Sequence, residues 1–281
     1  MARRIDPREL LCGIEGLALL RHLYDRSDEE AARRLEELGR LLREGRGIPP
    51  ETVSEAGVRD GYGLWSRRYD DPGNPIVALE EPAVWSLLEE RPPGRALDAA
   101  CGTGRHASRL LQLGHEVTAF DLTRDMLALA RERAVGARLV EADLRALPLA
   151  SGHFDLAVCG LALAHIAHLR AATAELGRVL ARGGRLVVSV LHPVQAWLGW
   201  QAPFADELGH RRFVREHPHT HGSYLGAFRE VGLELARCLE PALTEREVRA
   251  KRRAWRAIPE AALAAYEGMP AVLVLELEKR S

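Results

Sequence analysis

The run Ala96-Leu-Asp-Ala-Ala-Cys-Gly-Thr-Gly-Arg-His-Ala107 constrains this chain more than any other stretch. It opens as a short apolar strand, carries one acid at Asp98 and turns through Gly102 and Gly104. Helical spacing follows, with Leu110 and Leu111 turned to a core and Gly114 where a left-handed C-cap belongs. Glycines in such a turn let backbone approach a ligand closely, and the helix N-terminus behind them presents free N–H groups. A strand, a glycine turn and a helix form the mouth of a nucleotide-binding α/β fold. By itself G-x-G-x-x-A is a weak signal, so the rest of the chain must decide.

From residue 96 onward strand and helix patterns alternate. Strands are expected at 96–100, 116–121, 137–141, 156–159 and 185–191, with helices starting near Arg105, Arg124 and Leu169. Residues 148–153 read as a loop, and Gly183-Gly184 as the stop of the helix before the fifth strand. A non-periodic segment, 192–222, precedes a helix at 223–231, a strand at 233–239, a helical stretch near 244–267 and a last strand at 271–278. The alternation predicts an α/β, doubly wound, mostly parallel sheet. Upstream, Leu10, Ile14 and Leu17 recur at helical spacing, Ser27-Asp-Glu-Glu30 reads as a capping box, and Leu35, Leu38, Leu41 and Leu42 mark one face before Gly45. Pro49 and Pro50 close an N-terminal helical extension or cap, 1–55, ahead of a main domain, 56–281. Between them 61–75 is a turn-rich stretch with three aromatics, followed by a helix at 80–90.

Composition narrows the function classes. With 47% hydrophobic residues over 281 positions the chain can bury a large core. Net charge is −1 with acids interspersed, so no basic stripe speaks for nucleic acid. The N-terminus has no apolar signal region and no run approaches spanning length, so a cytoplasmic protein without a membrane partner is expected. Cys12, Cys101, Cys159 and Cys238 are scattered, without the close pairs of a zinc site, and reduced thiols are expected.

Asp98, Asp121 and Asp143 fall in or at the ends of successive expected strands, where such a sheet lines its ligand crevice. Asp121 lies 19 residues after Gly102, the spacing at which a carboxylate accepts both hydroxyls of a ribose and repels a 2′-phosphate. Nicotinamide cofactors share that logic. Asp98 weighs against them, because an acid four residues before the glycine turn suits an ammonium group or the fixing of the turn.

At this point the residues resemble a family: the class I S-adenosylmethionine-dependent methyltransferases, in particular the small-molecule branch of ubiquinone-biosynthesis type. Asp98 to Gly104 is similar to its first motif, 120–127 to its ribose motif, 141–148 to its adenine-side motif, and 175–189 to the stretch entering its fifth strand. The resemblance runs across about 57–281 and implies a seven-stranded sheet with an antiparallel last strand. It implies S-adenosylmethionine as cofactor, S-adenosylhomocysteine as product, and no metal. It assigns Asp98, Ala100, Gly102 and Gly104 to the methionine moiety, Asp121 to the ribose, and Leu122, Met126, Asp143 and Leu144 to the adenine side. Cys159 or Gly160 is expected beneath the sulfonium, and Tyr62 and Tyr69 over the methionine end. Helix capping or a salt bridge is the simpler reading of the two acids, and packing that of the tyrosines. The expected activity is in-line methyl transfer to an oxygen or nitrogen of a small metabolite, by a monomer or homodimer. The alternative is a cofactor-binding protein that transfers no methyl, such as a cyclisation catalyst or sensor.

The acceptor side is expected in 192–224, which gathers Trp197, Trp200, Phe204, Phe213, Tyr224 and the five histidines His192, His210, His217, His219 and His221 in an aromatic-poor chain. His217-Pro-His-Thr-His221 places alternate imidazoles on one face, a metal-like spacing, yet no carboxylate stands at matching spacing and none is assigned. His219 or His221 is the expected acid–base group, and His165, after the fourth strand, a further one. Surface histidines, and for His165 a backbone-bonded core histidine, are the plainer readings.

Overall fold

The computed structural model describes every residue except Met1, Gly45, Arg46, Ile48, Pro72, Gly73 and Ser281, with Arg252 described by its backbone alone. Gly45, the expected end of the second helix, thus lies outside the described residues, as do two positions of 61–75. In chain order the elements are β1 (Ala2–Ile5), α1 (Pro7–Arg21), α2 (Asp28–Glu44), β2 (Glu51–Ala56), α3 (Val58–Tyr69) and α4 (Pro75–Glu89). Then follow β3 (Arg95–Ala99), α5 (Arg105–Gln112), β4 (Glu116–Asp121), α6 (Arg124–Arg133), β5 (Arg138–Glu141) and β6 (Phe154–Gly160). A 3₁₀ turn at Leu163–His165 leads to α7 (Arg170–Val179), β7 (Leu180–Leu191), α8 (Pro193–Trp197), β8 (Ala202–Ala205) and β9 (Arg211–Val214). The chain ends through α9 (His221–Glu230), β10 (Leu233–Leu239), α10 (Glu245–Ala250), α11 (Arg252–Ala257), α12 (Pro259–Tyr266) and β11 (Val272–Lys279).

Two compact units emerge. The first joins Met1–Glu55 and Gly73–Pro75 to Ala242–Met269, and the second holds the remainder. The domain expected to run unbroken over 56–281 therefore yields α10, α11 and α12 to the N-terminal unit. The cause is long-range packing: Arg21 donates to the carbonyls of Ala265 and Glu267 at 2.8 and 2.9 Å, and Arg253 pairs with Glu51. The N-terminal segment also differs from the all-helical expectation, because β1 and β2 pair antiparallel, Ala2 opposite Ser54. Helical periodicity marks the leucines of α1 and α2, but not these short flanking strands.

The second unit is built on a sheet ordered β10-β11-β7-β6-β3-β4-β5 among the described residues. The strands β7-β6-β3-β4-β5 pair in parallel, while β11 runs antiparallel to both β7 and β10. The expected α/β sheet with an antiparallel last strand is borne out. Its core is a continuous apolar cluster that includes Leu97, Phe120, Phe154, Leu176, Val188 and Leu275. The chain leaves β3 toward β4 and β5, then returns to β6 on the other side. The β3–β6 boundary is thus the topological switch point, where such sheets open a ligand crevice beyond the strand ends.

Local readings shift in three places. The stretch around Gly61 is helical, and α3 sets Tyr62, Trp65 and Tyr69 on one face at i, i+3 and i+7. Gly183-Gly184 does not stop α7, which ends at Val179; the glycines sit in β7, where Phe154 pairs with Leu180 but Leu156 with Arg185. A Cβ at Gly184 would lie 2.9 Å from the Ala181 carbonyl, so glycine is what lets this bulge fold back on itself. The segment 192–222 is not structureless either, holding α8 and the antiparallel pair β8–β9.

Candidate functional site

Backbone strain marks the crevice. Ala100 and Leu161 are the non-glycine residues with positive φ among those described, at +60° and +55°, and each directly follows β3 or β6. Such a conformation costs roughly 1–2 kcal/mol per residue and persists where neighbouring bonds over-determine it. Here Cys101 N–H donates to the Phe120 carbonyl at 2.8 Å, and Leu161 N–H to that of Ser189 at 2.8 Å. Both lips of the switch point are therefore held in a shape the chain does not prefer.

The glycine turn is tied from two neighbouring strands. Asp98 is fully buried in β3, and its Oδ2 accepts from Ala107 N–H at 2.7 Å, capping the first turn of α5. Its Oδ1 is buried and accepts nothing, and burial pushes the carboxyl up to about 6. Asp121, at the end of β4, accepts from Gly102 N–H at 2.9 Å and from Thr123 N–H at 2.8 Å, fixing the turn and opening α6. Burial raises its pKa against those bonds. The two glycines have different reasons. Gly102 has φ +53° and a Cβ there would meet open space, whereas one at Gly104, φ +83°, would press on Ala130 Cα at 3.1 Å.

Under the turn lies a buried polar cluster that the sequence reading did not include. Glu80, on α4, is fully buried and accepts from Ser189 Oγ at 2.7 Å, His106 Nε2 at 2.9 Å and Arg105 at 3.1 Å. Burial would raise its carboxyl, but His106 and Arg105 outweigh it and hold it at about 2. Trp85 Nε1–H donates to His106 Nδ1 at 3.2 Å, which leaves the proton on Nε2, facing Glu80. Gly160 is the residue that admits this pair: a Cβ there would sit 2.6 Å from His106 Nε2 and 3.0 Å from Glu80 Oε1. One signal was available, the acid pair Glu80-Glu81 inside a largely apolar helical run.

The aromatic face of α3 reaches the same region. Tyr62 stacks on Trp65 at 5.7 Å, and Trp65 on Phe204 at 5.3 Å. Tyr69 lies beside the Arg105 guanidinium, with burial raising its phenol. The Tyr62 hydroxyl is 2.7 Å from His165 Nε2, and His165 Nδ1 is 2.7 Å from the Arg215 carbonyl. A carbonyl only accepts, so Nδ1 carries the proton and Nε2 accepts from Tyr62. Burial keeps this imidazole below its usual range.

The histidine run divides. His217 N–H donates to the Ala164 carbonyl at 2.7 Å and His219 Nε2–H to that of Ile166 at 2.8 Å, clasping 215–219 along the turn after β6. His219 packs on Tyr224, whereas His221 turns away, to Glu240 and His192. His165 is thus brought to Tyr62, and His219 and His221 face different neighbours. Within the clasped stretch 215–219 stands Glu216. Its Oε2 is buried without a partner, burial pushes the carboxyl to about 8, and both Tyr62 and Tyr224 lie within its electrostatic reach. Nothing local in the sequence separates Glu216 from a surface acid.

The remaining residues take plainer places. Met126 and Leu144 are buried in apolar surroundings and Leu122 is half-buried. Asp143 accepts from Arg145 at both carboxylate oxygens, which lowers its pKa. Cys159 is fully buried and its thiol is pushed far up by burial, which makes it unreactive. Among the described residues no helix is long and apolar enough to cross a membrane.

Comparison with known proteins fits this geometry. Residues 97–188 match the family described as "Methyltransferase domain". Over 145 residues the chain is 37% identical to the malonyl-[acyl-carrier protein] O-methyltransferase of Erwinia pyrifoliae, covering 50% of this chain and 54% of that protein. Over 113 residues it is 42% identical to the demethylmenaquinone methyltransferase of Thermus thermophilus, covering 38% of this chain and 51% of that one. The chain spans about half the length of these curated relatives. In fold it is similar to an S-adenosylmethionine-dependent methyltransferase of Mesorhizobium loti, with a TM-score of 0.55 and 24% identity over 73% of this chain and 100% of that one.

Proposed function

We propose that this chain, whose residues 97–188 match a methyltransferase domain, is a class I, S-adenosylmethionine-dependent enzyme that methylates an oxygen or nitrogen of a small metabolite. The observation that carries the reading is the pairing of the partnerless Asp98 Oδ1 with the open space at Gly102, both at the switch point. A buried carboxylate oxygen without a donor costs about 1–3 kcal/mol, and a ligand ammonium group beside it removes that cost. Bound, S-adenosylmethionine supplies an electrophilic methyl carbon on a sulfonium, and S-adenosylhomocysteine is the product.

On this reading Asp98, Ala100, Gly102 and Gly104 receive the methionine moiety, and the free lone pairs of Asp121 receive the ribose hydroxyls. Leu122, Met126 and Leu144 line the adenine side, where Asp143, steadied by Arg145, accepts from the amino group. Cys159 and Gly160 floor the methyl end, under Tyr62 and Tyr69. The segment 192–224 shapes the acceptor pocket and excludes water from it. Glu216 and the Tyr62–His165 pair are the groups that hold or remove the acceptor's proton while the nucleophile is aligned. His219 steadies that wall from behind, its ring committed to Ile166, so the acid–base role expected of His219 or His221 passes to His165 and Glu216. The partner is a small-molecule acceptor, not nucleic acid, and the protein acts as a monomer or homodimer. Four unpaired cysteines suit the reducing cytoplasm.

Isothermal titration with S-adenosylmethionine tests the cofactor half. Sub-millimolar binding that weakens at least about tenfold in Asp121→Ala, which removes a charged hydrogen-bond acceptor, is expected. Release of S-adenosylhomocysteine with a panel of small hydroxyl and amine acceptors tests transfer. Binding without turnover on any of them would favour the non-transferring alternative.

A further inference from the structure

His192, His221 and Glu240 meet at the two ends of the long segment that follows β7. The histidine nitrogens and a Glu240 oxygen lie within 4.8 Å of one another, both Nε2 atoms being 3.0 Å from Glu240 Oε1. Each residue comes from a different place: His192 directly follows β7, His221 opens α9 and Glu240 directly follows β10. His192 is buried while the other two side chains are about half exposed, so an ion has a path in and room for water.

We propose that His192, His221 and Glu240 bind one divalent transition-metal ion of the zinc type, which ties both ends of 192–221 to the end of β10. Two imidazoles and one carboxylate arriving from three directions are a zinc-type donor set, with water in the fourth position. Metal–ligand bonds of about 2.0–2.2 Å put tetrahedral ligand atoms roughly 3.4 Å apart. That spacing lies between the 3.0 Å contacts and the 4.8 Å limit of the cluster, so side-chain adjustment suffices. One local bond opposes the ion. His192 Nδ1 accepts from Val194 N–H at 3.2 Å, which keeps the ring proton on Nε2, and coordination through Nε2 moves that proton to Nδ1. A single long capping bond is a small loss against three bonds to a dication. Of the alternating histidines of 217–221, His221 alone joins the donor set: His217 and His219 are drawn to the turn at 164–166, and the carboxylate comes from the end of β10, nineteen residues beyond His221.

The test uses the full chain, stripped with a chelator and titrated with zinc by calorimetry and with cobalt(II) by visible absorption. One ion per chain and the intense ligand-field bands of four-coordinate cobalt are expected. Glu240→Gln and His221→Ala should each weaken binding by more than about 100-fold, beyond what loss of an outer-shell contact costs. His217→Ala should bind as the parent does. Near-ultraviolet circular dichroism and S-adenosylmethionine titration of the same variants establish that they are folded. No ion bound below millimolar concentration, or equal affinity in folded Glu240→Gln and His221→Ala variants, overturns the site.

Discussion

Tyr62 and His165, 103 positions apart, share a 2.7 Å hydrogen bond in which the phenol donates to Nε2, because His165 Nδ1–H is committed to the Arg215 carbonyl. The bond joins α3 to the turn after β6, and the charges of Asp121 and Glu216 both raise the pKa of this phenol.

Removing that hydroxyl leaves a part-buried ring nitrogen without its donor. Tyr62→Phe is expected to lower stability by about 1–3 kcal/mol in urea unfolding. Unchanged stability would show that the bond contributes nothing.

The two glycines of the turn should separate ligand approach from packing. Gly102→Ala adds a methyl group where there is open space, so it costs mainly the strain of its φ, about 1–2 kcal/mol, while obstructing S-adenosylmethionine. Gly104→Ala adds to similar strain a close contact with Ala130, another 1–3 kcal/mol or so of overpacking. Paired unfolding curves and cofactor titrations should therefore show the larger affinity loss at 102 and the larger stability loss at 104.

Asp98 should couple stability to pH in the direction opposite to a salt-bridged acid. Its folded pKa of about 6 stands above the unfolded value of about 3.9, so the native state holds the proton more tightly. Stability from this group is then greatest below pH 4 or so and falls as pH rises to about 6, by roughly 3 kcal/mol in all. Asp98→Asn should remove this slope from urea unfolding of the cofactor-free protein between pH 4 and 7. Cofactor affinity, by contrast, should rise over the same interval in the parent, because an ammonium group favours the ionised carboxylate, and should stay flat in the variant.

Glu216, with its pKa near 8, should appear in the pH profile of methyl transfer. As a proton acceptor it works only when ionised, so turnover should climb through about pH 8 and Glu216→Gln should flatten that limb. Cofactor affinity of the variant should match the parent. A profile that keeps its limb would remove Glu216 from the acceptor chemistry.

What the sequence determined by itself is local and periodic. The apolar strand before Asp98, the glycines at 102 and 104 and the recurrence of strand and helix made the sheet, its crevice and the place of Asp121 legible, because each rests on spacing of a few residues along the chain. Side chains that find partners across long separations were decided only by the tertiary structure. Glu80 meets Ser189 over 109 positions, His165 finds Arg215 over 50, and Glu240 reaches His192 over 48. The helices of 242–269 join the N-terminal unit for the same reason. Burial and partnership convert an ordinary glutamate or histidine into a functional one, and neither is written in the residues beside it. Thus the glycine turn could be read as a ligand mouth from its neighbours in the chain, whereas Glu216 and the His192–His221–Glu240 cluster exist only once the sheet has brought their segments together.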